Sequence, residues 1–516
     1  MRTNHFSVRK PRLKPLAGCL ATALALASGS AAMAAPTRVP PAAAELMERL
    51  HRGDAPELPA RWKKPDPAEI ALRWQPVPHQ IPDVPANSIV VQNCNDSGAG
   101  SLRDALLNAG NGDTIDLTQL SCSTITLTTG SILFTQTSIT LQGPGSKYLA
   151  ISGNDQFTPL EHDGLGTLYV NDLAIEHGMK YFTDAQVDDA RGGCIFSGGS
   201  VYLSDSVVTY CTAKNTSTTH GVRGGAIYAQ SGVTVSNSVV SNSTASATSS
   251  DGGGIFSPGF VNISDSFIAG NSCGDHGGGV YAGDLKVKYS IIEDNVTFGI
   301  GGGTYSFGNA SITNSTIAGN GASLGGGVFM NALNATLPAT LLNSTVSGNS
   351  AGKVGGAWVG DYDSVRVANS TIAFNYESNA TKYGAGLFLY GPVQVQSTIV
   401  GNNTYSGGTE PDDVGGNATA SMTGANNLFG FSSVTPPSGT IELESPMLGP
   451  LEFNGGSTLT HMLMSGSPAI DAGNDEANVA FDQRGNGYPR TIGGGTDIGA
   501  YELDTNDVIF VNGFDP

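Results

Sequence analysis

Positive charge is the scarcest resource in this sequence: 25 Lys and Arg stand against 44 Asp and Glu in 516 residues, and only 13% of the chain is charged at all. A formal charge of -19 argues against nucleic acid and anionic membranes as partners. Tryptophan is nearly absent, with three residues, and cysteine numbers six. No zinc-ligand spacing, phosphate-cradling glycine loop or serine nucleophile elbow is present. Beyond the first 34 residues no stretch approaches the roughly 18 consecutive apolar residues of a membrane helix. Helical periodicity is also missing from most of the chain, which points away from bundles and α/β folds.

The exception at the start has its own logic. Arg2, Arg9, Lys10, Arg12 and Lys14 precede an apolar run from Leu16 to Ala27, followed by Ala32-Met33-Ala34. This is the layout of a secretory signal peptide over residues 1–34, and a secreted or cell-surface location follows as an expectation. Its removal takes five basic residues and no acidic ones. Residues 35–87 are rich in proline and read as a linker or pro-segment. Cys19 leaves with the signal peptide. In an exported chain the sequence-local pairs Cys94 with Cys122 and Cys194 with Cys211 are the expected disulfides, leaving Cys273 as a small buried residue.

What is abundant is glycine, 70 residues of it, and it recurs with a period. Ser-x-(Ile or Val)-x-x-Asn repeats end at Asn271, Asn295, Asn320, Asn349, Asn375 and Asn402. Paired glycines keep step with them, from Gly192-Gly193 to Gly355-Gly356. Two motifs at one period define a repeating unit. Within it apolar and polar residues alternate, as in Val233-Thr234-Val235-Ser236, so each unit holds short strands. Such units bury their apolar faces only by stacking. The expected fold is therefore all-β: a right-handed parallel β-helix over residues 88–445, of about thirteen coils. The repeated asparagines are expected to form a structural ladder along the axis. Ser101-Leu102-Arg103-Asp104 is a helix start, and residues 101–109 place Leu102, Ala105, Leu106 and Ala109 on one face, as a plug for the first coil.

Three stretches resemble known proteins. Residues 94–105 with Gly112-Asp113-Thr114-Ile115 look like the entry module of bacterial right-handed parallel β-helix proteins. The Phe-Ile-Ala-Gly-Asn repeat at 267–271 is similar to repeats of polymorphic outer-membrane proteins. The run GPLEFNGGSTLTHMLMSGSPAIDAG at 449–473, with DQRG at 482–485 and DIGAYE at 497–502, is very similar to the closing module of the choice-of-anchor Q family. The resemblance implies a surface-displayed or secreted β-helix with no established reaction, closed by a module at 446–504 and followed by a tail at 505–516 that resembles sorting tags. The membrane barrel of the polymorphic outer-membrane pattern is not expected, since the tail ends in Pro516.

Function then has two readings: a non-enzymatic adhesion or glycan-binding module, and, as the alternative, a lyase or hydrolase of acidic polysaccharide. A hydrolase needs paired carboxylates on adjacent coils; Asp188-Asp189 and Asp412-Asp413 occur, but His177 and His276 follow acidic residues and no complete constellation assembles. A lyase would combine Ca²⁺ held by carboxylates with a basic residue, for which Asp188, Asp189 and Arg191, or Asp361, Asp363 and Arg366, are candidates. No other cofactor is indicated. Asp471, Asp482, Arg484, Arg490 and Asp497 read as an ion-pair network in the closing module. Tyr202, Tyr228, Tyr281, Tyr305, Phe329 and Trp358 follow the glycine pairs at similar offsets. Facing inward they are core, the expectation adopted; facing outward, Tyr228, Tyr281, Tyr305 and Trp358 would stack on sugar rings. Convergence of acidic and basic side chains in one groove would favour the enzyme.

Overall fold

The computed structural model describes residues 88–504 apart from 184–187, 218, 248, 336–338, 363, 407–410 and 444, with the backbone alone at 332–335 and 361–362. The expected signal peptide, linker and tail lie outside these residues. The described chain is a parallel β-solenoid of about 11 turns. Three faces, of 22, 13 and 9 strands, account for nearly all of it. The turns differ in length. The buried serine ladder steps by 32 and 28 residues from Ser206 to Ser238 to Ser266, then by 24 and 25.

Alternation decides what is inside. In the 13-stranded face Ile175, Val208, Val240, Ile268, Ile292, Ile317, Val346, Ile372 and Val400 stack rung on rung into the central core. Corners are made by left-handed residues. Gly277, at φ 68, opens one of them. The next glycine answers to a different constraint: a Cβ on Gly278 would stand 2.4 Å from the carbonyl of Gly302, so this position is a close approach between coils.

The helix forms at Leu102–Asn108, with the Ser101 hydroxyl accepting from the Asp104 amide at 3.2 Å, and Leu102, Ala105 and Leu106 buried against the first coil. Arg103 donates to Asp96 at 2.6 Å. Burial alone would raise the Asp96 pKa, but the hydrogen bonds from Thr129, Arg103 and Thr128 outweigh it and hold the carboxylate well below its usual range. Both expected disulfides are present, Cys94–Cys122 and Cys194–Cys211, with Cys273 free and buried. The first closes a chain separation of 28 residues. Changing Cys94 and Cys122 together to serine is expected to cost about 3 kcal/mol by loop entropy, read as a lower urea midpoint; an unchanged midpoint would show that the bridge contributes nothing.

Asparagine forms the ladder with one correction. Each side-chain oxygen accepts from the backbone and side-chain nitrogens of the previous rung, from Asn271 through Asn295, Asn320, Asn349 and Asn375, at 2.9 to 3.0 Å. The next rung is Asn403, which accepts from Asn375, and not Asn402. Asn402 is the left-handed corner residue, at φ 58. The doubled Ser397-Thr398 and Asn402-Asn403 offer two registers, and burial of Val400 rather than Ile399 in the central core selects the second.

The closing module covers more than the final coils. Its antiparallel strands Leu448–Glu452 and Thr460–Leu463 and the loops after them run back along the outer surface of the 13-stranded face. Gln483 bonds Thr345 and Thr316, and Leu459 packs with Val239, Phe267 and Ile291. Its ion pairs are Arg484–Asp482 at 2.8 Å and Arg490–Glu502 at 3.2 Å, all fully buried. Glu502, which the sequence reading did not include, is thus the partner of Arg490. Asp497 instead accepts from the amides of Asp471 and Leu503.

Candidate functional site

In the middle turns an inward residue is followed by an aromatic one, as in Ile195-Phe196, Ile227-Tyr228, Ile255-Phe256 and Val280-Tyr281. Because successive side chains in a strand point to opposite faces, the aromatic residues stand outside the central core. This corrects the inward expectation. Phe196, Tyr228, Phe256, Tyr281, Tyr305, Phe329, Trp358 and Phe388 occupy one register line and stack with ring centroids 4.1 to 5.5 Å apart. Tyr202 is not among them: it lies on the neighbouring strand Ser200–Ser204, against Tyr169. Tyr281, Tyr305 and Trp358 remain half-buried, whereas Tyr228 is covered.

What covers Tyr228 is the second row. The short strands Ala190–Arg191, Val222–Arg223 and Ser250–Asp251 pair in parallel, and the bridge from Asp251 to His276 continues them. Arg191, Arg223, Asp251 and His276 therefore form consecutive rungs beside the rings. Arg191 sits 5.5 Å over Tyr228, Arg223 5.5 Å over Phe256, and the His276 imidazole 4.9 Å from Tyr305. Asp188 pairs with Arg191 at 2.8 Å and Asp189 with Arg223 at 3.1 Å. A recess of about 210 Å³ opens between Asp189, His220, Arg223 and Asp251.

His276 is the titratable centre of this row. Its Nδ1 lies 2.8 Å from Asp251. Burial would lower its pKa, but the hydrogen bond and charge of Asp251, and the charge of Asp275, outweigh that and raise it. The Asp275 carboxyl is itself raised, by burial first and then by Asp251. Ligand atoms of Asp251, Asp275 and His276 all lie within 4.8 Å of one another, close enough for one divalent cation to bridge. With an imidazole in the set, a transition metal matches the donors better than Ca²⁺, which prefers oxygen alone.

Asp188, Asp189 and Arg191 are thus brought beside Tyr228, with Tyr281, Tyr305 and Trp358 further along the same stack. Of the other trio only Arg366 has a described side chain. Arg366 is on the strand Val365–Ala368, in register with Thr340 and Gln394, Asp363 lies outside the described residues, and of Asp361 only the backbone is described. Asp412 and Asp413 are turn-forming: Asp412 accepts from the amides of Gly384 and Ala385, and Asp413 from Asn403 and Phe431. His177 pairs with Asp155 at the surface. Phe196, Phe256, Arg223 and Asp251 were missed, and His276 was weighed only for a hydrolase; the aliphatic-aromatic pair after the glycine pair is the signal that marks the first two.

No family model matches the chain, and no curated protein does. Among solved structures, the pectate lyase Pel9A is similar at 11% identity over 82% of this chain and 98% of its own, with a TM-score of 0.33. A mannuronic acid specific polysaccharide family 6 lyase from human gut microbiota is similar at 14% identity over 65% and 78%, with a TM-score of 0.27. These likenesses concern the winding of the chain. The resemblance to the choice-of-anchor Q closing module is carried by the residues at 449–502 alone.

Proposed function

We propose that this protein binds an acidic polysaccharide along the aromatic strip and cleaves it by β-elimination. The observation that carries this reading is the alignment of two rows: a ladder of stacked rings, partly exposed at Phe196, Tyr281, Tyr305 and Trp358, and beside it Arg191, Arg223, Asp251 and His276 on consecutive rungs about 4.8 Å apart. Arg191 and Arg223 would face a uronate carboxylate and, by holding its charge, acidify the adjacent C–H. His276 would take that proton, and the Tyr305 hydroxyl beside it would return one to the departing glycosidic oxygen. In a chain of net charge -19, a polyanion is admitted only where basic groups cluster. Export to the cell surface, expected from the N-terminal residues, would place the strip among such polymers.

One observation favours the other reading, a non-enzymatic glycan-binding or adhesion module: both arginines are already ion-paired, to Asp188 and Asp189. The test is incubation with a panel of uronate polymers, with and without divalent cations, following the ultraviolet absorbance of unsaturated products. His276→Gln is expected to lower the rate by about 10²-fold or more while binding in affinity gels persists, and Arg223→Ala to weaken both binding and rate. Retardation of the protein by a uronate polymer, lost in Trp358→Ala, with no product from any polymer, would replace the lyase by the binding module.

A further inference from the structure

On the opposite flank the closing strands Leu448–Glu452 and Thr460–Leu463 bridge the 13-stranded face and leave a cleft of about 500 Å³. Ser347 and His461 line it. The Ser347 Oγ lies 2.8 Å from His461 Nε2, and His461 Nδ1 lies 2.7 Å from the carbonyl oxygen of Gly449. A carbonyl can only accept, so the imidazole hydrogen is on Nδ1 and the Nε2 lone pair faces the serine hydroxyl, which donates to it. Phe374, exposed at the cleft mouth, sets its ring 5.0 Å from the imidazole. Burial pushes the His461 pKa down, against the smaller opposing effect of the Gly449 bond. The ring is therefore neutral at neutral pH, with its Nε2 lone pair available to the serine hydroxyl.

We propose that Ser347 and His461 are the nucleophile and general base of an acyl-transfer site that accepts a small carboxylic ester. A hydroxyl bonded to an imidazole whose other nitrogen is fixed by an acceptor is the arrangement that activates serine. Here a backbone carbonyl does the orienting that a carboxylate does elsewhere. Ser347 Oγ adds to the ester carbonyl carbon while its proton passes to His461 Nε2. The alcohol leaves as the C–O bond breaks, taking that proton. Water, deprotonated by the same nitrogen, then releases the acid and restores the hydroxyl; ester and water become acid and alcohol. The amides of Gly319 and Gly348 bond the carbonyls of Ser347 and Ala373 and so do not serve a tetrahedral oxyanion. Each such donor is worth about 10²-fold or more in rate, so slow turnover with a stoichiometric first acylation is expected. Nothing in this site depends on the aromatic strip.

The test uses the full chain, a fluorophosphonate probe and 4-nitrophenyl acetate. One label per chain, mapped by mass spectrometry to Ser347 and absent in Ser347→Ala, is expected, with a matching burst of nitrophenolate. The labelling rate should follow deprotonation of one group titrating below a free imidazole, a dependence that a merely structural contact does not produce. Ser347→Cys, which keeps the contact with minimal change, should react with iodoacetamide at pH values well below the free thiol's 8.5 or so. No labelling at Ser347, or ordinary thiol reactivity in the Ser347→Cys variant, would overturn the proposal.

Discussion

Replacing Asn349 by alanine is expected to destabilise the solenoid by about 4 kcal/mol, among the largest effects available to a single substitution. Asn349 is fully buried. Its side-chain oxygen accepts from the Asn320 amide and from Asn320 Nδ2, and its own Nδ2 donates to Ile317 O and Asn375 Oδ1. Alanine leaves the Asn320 amide without its partner in a place water does not reach, at about 1–3 kcal/mol, and takes one bond each, at about 1 kcal/mol, from Asn320 Nδ2, Ile317 O and Asn375 Oδ1. Because Asn320 and Asn375 belong to the same ladder, the loss is shared by neighbouring turns. The double variant Asn320→Ala/Asn349→Ala should therefore cost less than the sum of the two single changes. Urea unfolding of the three variants measures this; an Asn349→Ala midpoint within error of the parent would remove the ladder from any account of stability.

The second large effect is pH-dependent and belongs to Glu377. This residue is fully buried on the strand Tyr376–Glu377, between Ala351 and Tyr405, and neither carboxyl oxygen has a hydrogen-bond partner. The amides of Val354 and Tyr383 face it without closing bonds of normal geometry, and Lys353 adds a weaker favourable charge. Burial, and next the charge of Asp412, raise its pKa from 4.5 to about 8. The folded chain thus keeps a proton that the unfolded chain releases above about pH 4.5. Stability should fall as pH rises from there to about 8 and then level off, by about 5 kcal/mol in all. Asp413 and Glu502, raised by burial to about 6 and about 8, push in the same direction. The difference between parent and Glu377→Gln isolates the one group. The variant should be the more stable at pH 8.5 and lose that advantage near pH 4.5. Parallel stability curves for the two proteins would show that Glu377 does not titrate in this window.

The sequence carries the fold in its repeats. The Ser-to-Asn spacing marks the ladder because each rung must meet the same geometry, and the local cysteine pairs lie where adjacent strands bring them together. Ser101 at the start of an apolar helical face is enough to place the plug. Register failed at Asn402, where two serine-like and two asparagine residues stand side by side and only packing of Val400 decides between them. Direction failed at Tyr228 and its partners because a glycine-pair offset says which rung a ring occupies, whereas alternation from Ile227 says which side. The row of Arg223, Asp251 and His276 was hidden because its members come from successive turns of unequal length. Ser347 and His461 are 114 residues apart, joined only by the path of the closing module.

That path has a consequence for how the molecule is assembled. Val239, Phe267 and Ile291 on middle turns are covered by Leu459, a residue made more than 150 positions later. Until the last segment emerges and lies down, those turns present an uncovered apolar stripe to whatever escorts the chain. The final segment thus acts as a late-arriving splint, so that a chain truncated before residue 448 would keep its winding yet expose an adhesive seam, and should be recovered as aggregate or bound to a chaperone.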